Sequence, residues 1–169
     1  MRELLAKKSS RVNSYQVVAL VANNPERFKE LVEIIVSNES PYCEKASWAM
    51  NHCYEEGTDF FDNYYKELTA ILPDDTYSDS VKRNIVRILQ FKEIPEKYQA
   101  SVIDSCFYLV NKKDTAIAVK AFSLGVLENM VKLYPELKNE LIASIENLLP
   151  TASSGIKNRC GHILRRLRK

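Results

Sequence analysis

His52 stands beside Cys53, with Glu55 and Glu56 just behind it, and His162 is the other histidine of the chain. Imidazole, thiolate and carboxylate are zinc ligands, but a zinc site needs three or four of them converging on one point. Adjacent residues on a helix diverge by ~100°, so His52 and Cys53 point to different sides, and a surface histidine is expected at 52. The carboxylate pairs Glu55-Glu56 and Asp74-Asp75 read as surface or loop charges. No G-x-x-x-x-G-K-[ST], G-x-S-x-G, H-E-x-x-H or G-x-G-x-x-G is present, and four glycines could hardly build a phosphate cradle. No catalytic group, cofactor or metal is therefore expected.

Two further groups of residues have chemistry to offer. Residues 151–169 carry Lys157, Arg159, Arg165, Arg166, Arg168 and Lys169 with no acid, while the chain between residues 13 and 150 is net acidic. A basic cluster can neutralise phosphates. Basic residues in a last helical turn also favour the helix dipole and solvate the end of an array, and that reading is preferred. The run Phe60, Phe61, Tyr64 and Tyr65, flanked by Asp59, Asp62 and Lys66, cannot all face one core. Phe61 and Tyr65 suit the core, leaving Phe60 and Tyr64 as half-exposed candidates for partner contact, with core or ridge packing the preferred reading.

These residues must be positioned by helices. Helical spacing places Val12, Tyr15, Val18 and Ala19 on one stripe, and Phe28, Leu31, Val32 and Ile35 on another. Asn24-Pro25, Ser40-Pro41, Ile94-Pro95 and Tyr134-Pro135 mark helix starts, and Gly57 a stop. Thr58, Ser78 or Asp79, Asp114, and Ser153 or Ser154 are expected to open others, giving about nine helices and no strand. The four cysteines, Cys43, Cys53, Cys106 and Cys160, fall singly in apolar patterns and read as buried thiols of a reducing compartment. Trp48 lies off its own helix's apolar stripe but in register with aliphatic residues, so packing against a neighbouring unit is expected. No apolar run approaches the ~20 residues that span a bilayer, and residues 1–8 lack a secretory core. A cytoplasmic protein of one domain, 1–169, is expected, with no membrane partner and an oligomeric state that composition leaves open.

A repeat organises these helices. Val81-Lys82-Arg83-Asn84-Ile85-Val86-Arg87-Ile88-Leu89 recurs as Val119-Lys120-Ala121-Phe122-Ser123-Leu124-Gly125-Val126-Leu127 and as Ile156-Lys157-Asn158-Arg159-Cys160-Gly161-His162-Ile163-Leu164, at steps of 38 and 37 residues. Cys43–Asn51 falls one period earlier. In this register the recurrent lysine reads as a solvated position, and His52 matches the polar Gln90, Glu128 and Arg165.

An aliphatic-Lys pair opening each first helix, with aliphatics following, resembles HEAT repeats, and armadillo-type stacking is a variant. The resemblance implies an all-α, α-α superhelix (HEAT/ARM-like solenoid) of about four helix pairs plus a terminal helix. It also implies a non-catalytic scaffold that binds a protein or peptide on a concave face of second helices. That face would present Lys29, Glu33, Asp62, Tyr64, Lys66, Tyr98, Asp104, Tyr108, Lys138 and Ser144. HEAT-like DNA glycosylases that act on alkylated bases supply the alternative, nucleic-acid binding through Lys157, Arg159, Arg165, Arg166 and Arg168. Against it, the acidic central repeats would repel a duplex.

Overall fold

The computed structural model describes residues 1–58 and 60–168; Asp59 and Lys169, which the sequence reading includes in its acidic flank and basic cluster, lie outside the described residues. The helices are α1 (Arg2–Ala6), α2 (Arg11–Val21), α3 (Pro25–Val36), α4 (Tyr42–Glu55), α5 (Tyr65–Ala70), α6 (Asp79–Leu89), α7 (Glu96–Asn111), α8 (Ile117–Leu133), α9 (Lys138–Leu148) and α10 (Ser154–Leu167). Short 3-10 turns at Phe61–Tyr64 and Pro135–Leu137 lead into α5 and α9, and another follows α9 at Leu149–Thr151. No strand occurs among the described residues. In chain order the helices alternate as first and second, α2 then α3, α4 then α5, α6 then α7 and α8 then α9, followed by α10. The chain divides into two compact units, Met1–Ile88 and Leu89–Lys169.

In the first unit, α2 and α3 pack against α4, and α1 packs against α2 and α4. Ser10 Oγ accepts from the Asn13 N–H, and Asn24 Oδ1 from the Arg27 N–H, both at 3.1 Å. Each satisfies a donor that the first helical turn leaves unpaired. Phe28, Leu31, Ile35, Met50, Leu68 and Ile85 are fully buried, each contributing about 1.5–3 kcal/mol relative to an exposed side chain.

Several local expectations are corrected here. The buried face of α2 is Ser14, Val17, Val18 and Val21, while Val12 is 71% exposed. A helix apolar over most of its turn gives periodicity no way to choose a face. Ser40 does not cap α4: Pro41 occupies the cap after a cis bond, and the Glu39 carbonyl accepts from the Tyr42 and Cys43 N–H groups. No helix starts at Thr58, because the aromatic run first makes its 3-10 turn. Asp114 lies in a turn, and α8 begins only at Ile117.

In the second unit, α8 packs against α7, α9 and α10, and α7 also meets α9. Between these neighbours α8 is apolar on most sides, with Val119, Leu124, Val126, Leu127 and Met130 buried, as a helix covered on several flanks must be.

The repeat register holds at its apolar positions: Val81, Val119 and Ile156 are all buried. Its lysine does not behave as expected. Lys157 is exposed, but Lys82 and Lys120 are 2% and 7% exposed. Lys82 Nζ lies 3.5 Å from an Asp75 carboxylate oxygen, and Lys120 Nζ lies 3.5 Å from the Lys113 carbonyl. A long aliphatic stem lets each lysine bury its chain and still bring its ammonium to the preceding loop.

Candidate binding surfaces

The second helices, and the 3-10 turn that leads into α5, carry the residues nominated for partner binding. In the first unit Tyr64 ends its 3-10 turn half-buried, stacked on Phe28 with ring centroids 5.8 Å apart, and Lys66 is exposed beside it on α5. Burial, with Glu26, Glu33 and Glu67 nearby, pushes the Tyr64 phenol above its ordinary value. Phe60 also reaches Phe28, edge-on at 5.6 Å.

In the second unit Asp104 and Tyr108 lie one turn apart on α7 and share an exposed stripe with Lys97 and Ser101. Tyr108 is 39% exposed, with the Lys112 ammonium 5.4 Å from its ring centre, a cation–π contact. Tyr98 projects off that stripe and is half-buried, under the Lys97 ammonium at 4.9 Å. Lys138 opens α9, half-buried. Ser144 does not belong to an exposed face: it is buried, and Asn111 Nδ2 donates to its Oγ at 3.3 Å.

His52 departs from the surface position expected of it. It is 7% exposed, with Tyr15 and Trp48 rings 5.0 and 5.2 Å away. Its Nδ1 lies 2.9 Å from Glu55 Oε2, and Nε2 is buried without a partner. The α2 helix covers a register position whose polarity alone suggested solvent. Trp48 lies beside the neighbouring N-terminal helices within the first unit, lining a void of only about 20 Å³ with Leu4, Leu5 and Val17. Among the described residues no group of three or more His, Cys, Asp or Glu side chains is placed to hold a metal.

The basic cluster divides. Arg166 makes a two-nitrogen pair with the Glu128 carboxylate, and Arg168 reaches Glu146 at 2.8 Å. Arg165 folds back on its own helix, donating to the Gly161 carbonyl and touching His162. Arg159 is half-buried and donates to Gln90 Oε1 at 3.1 Å, and Lys157 is exposed. Gly125 has a role in this cluster that its place in the repeat does not disclose. A Cβ there would collide with the Arg159 guanidinium, so glycine lets that group lie against α8. A lone glycine inside an otherwise apolar helix was the available signal.

Helix pairs in sequence, apolar faces closed by neighbours and open polar surfaces define an all-α helical-repeat protein of the scaffold or binding type. The chain belongs to the HEAT repeat domain family, whose model matches residues 1–167. HEAT repeats typically mediate protein interactions. No curated protein and no solved structure matches it significantly. Among the described residues no helix is long and apolar enough to cross a membrane.

Proposed function

We propose that this chain is a non-catalytic HEAT-repeat binding protein that recognises a protein or peptide through its second helices, in a reducing cytoplasmic setting. The observation that carries the reading is the α7 stripe. Asp104 and Tyr108 stand exposed one turn apart, on a helix whose opposite side is locked into the core by Val102, Cys106, Leu109 and Val110. An aromatic ring with a polar edge, held by a rigid helix, buries much surface for little lost entropy and is a favoured anchor in interfaces. Tyr98, Lys138, Tyr64 and Lys66 belong to the same reading as contacts on second helices. Four buried thiols suit a compartment that keeps cysteine reduced.

The test is affinity capture from a native extract with the full chain and with Asp104→Arg/Tyr108→Ala. A protein recovered by the parent chain and lost with the variant is expected; equal recovery, or none, overturns the reading. The nucleic-acid alternative finds little support, because Glu128 and Glu146 already occupy two of its arginines. Duplex DNA binding that falls steeply with salt and with Lys157→Gln/Arg165→Gln would favour it instead.

A further inference from the structure

A groove of about 530 Å³ runs between α8 and α10, lined by Ala121, Glu128, Asn158, Arg159, His162 and Arg166. Its size falls within the range of sites that take a small ligand or a single side chain. Small residues at 121 and 125 keep the α8 wall low, and the Arg159 guanidinium occupies the space a side chain at 125 would fill.

The charge on Arg159 is left incompletely matched. Its Nη2 donates to the neutral Gln90 amide oxygen, its Nε is buried with no partner, and no ion pair forms at it among the described residues. Glu128 acts on it electrostatically, but that carboxylate is engaged by Arg166. Burial pulls the Arg159 guanidinium below its usual value, Glu128 opposing. A cation half out of water and held by one amide is poorly compensated. Such a group in a cleft marks a candidate site, and a guanidinium fork matches a carboxylate by two parallel N–H···O bonds.

We propose that the α8–α10 groove accepts an Asp or Glu side chain of a protein partner, with Arg159 as the principal donor, His162 and Asn158 at the rim, and the Glu128–Arg166 pair as one wall. The site lies on first helices and does not depend on the α7 stripe. A nucleic-acid backbone fits it less well, because the Glu128 carboxylate lines the same groove and would meet successive phosphates. One inserted carboxylate can face Arg159 without that conflict.

The experiment selects phage-displayed random short peptides on the full chain at low salt and measures the winners, synthesised, by fluorescence anisotropy. Enrichment of Asp or Glu at one position is expected. Affinity should fall at least about tenfold when that residue becomes its amide, and equally on Arg159→Met. Gly125→Ala, which keeps the net charge but displaces the guanidinium, should weaken binding too, and Lys157→Gln should leave it unchanged. Should circular dichroism show Arg159→Met unfolded, Gly125→Ala and Arg159→Lys decide the matter. The proposal is overturned if no binders emerge, if no acid is enriched, or if affinity ignores both 159 and 125. It is also overturned if duplex DNA displaces the peptide at matching concentration.

Discussion

Asn51 donates from its side-chain amide to the main-chain carbonyl of Asn84 at 2.9 Å, joining α4 to α6 where both residues are at most 2% exposed. Asn84 returns the link by donating to Ser47 Oγ at 2.9 Å, and Ser47 donates to the Glu44 carbonyl. Elsewhere in the register Leu89, Leu127 and Leu164 stand where Asn51 does, so the polar link between α4 and α6 is particular to this copy of the repeat. Asn51→Ala should destabilise the first unit by about 1 kcal/mol, because it removes a buried hydrogen bond between α4 and α6 while the Asn84 carbonyl keeps its place in the α6 ladder. Asn51→Leu should fare no better, since it restores volume but not the donor. Urea unfolding of the three proteins would show it; an unshifted midpoint for Asn51→Ala would remove the polar link from the account.

Lys82 and Asp75 allow a comparison of what each partner contributes. The lysine is buried and the aspartate is half-exposed. Asp75→Asn leaves the ammonium buried with less compensation and should cost about 1–2 kcal/mol, discounted for the exposure of the acid. Lys82→Met keeps the aliphatic stem and removes the charge, so it should be milder, within about 1 kcal/mol of the parent. Chemical denaturation gives the order directly, and a larger loss for Lys82→Met would contradict it.

The thiols predict how stability responds to alkali. Burial pushes Cys53 and Cys106 up to about 12 and Cys43, with Glu44 beside it, to about 11. In the unfolded chain these groups ionise near the ordinary value of ~8.5. Between those limits the unfolded state sheds protons that the folded state keeps, so stability is fully present below about pH 8 and declines as pH rises toward 11–12. Thermal melts under reducing conditions should show a lower Tm at pH 10 than at pH 8, and a shallower fall for Cys106→Ala. Native protein at pH 8 should resist iodoacetamide until denaturant is added.

Gly57 ends α4 with a φ of +80°, and a Cβ built there meets nothing within 4 Å. The only objection to a side chain is therefore the backbone. Gly57→Ala should cost about 1 kcal/mol and Gly57→Asn less, since asparagine tolerates the left-handed region better. Equal stability of parent and alanine variant in thermal melts would refute this.

Asn24-Pro25 and Tyr134-Pro135 were legible as helix starts because capping and proline geometry are local. The period that aligns Val81, Val119 and Ile156 was legible for a different reason: every copy must bury the same position against a neighbour. The helix-pair architecture followed from that spacing. What the sequence could not yield was which polar residues the neighbours would cover. Lys82, Lys120 and His52 look solvated on their own helices, and become buried because another helix or loop lies over them.

The candidate sites follow the same division. Local spacing put Asp104 and Tyr108 on one helical stripe, since residues four apart always share a face. That Glu128 holds Arg166, that Glu146 holds Arg168, and that Gly125 makes room for Arg159 depend on partners 22 to 38 residues away. Composition alone showed six basic residues with no acid among them. Tertiary packing decided which of those charges are matched, because a charge is neutralised by what lies next to it in space and not by what precedes it in the chain.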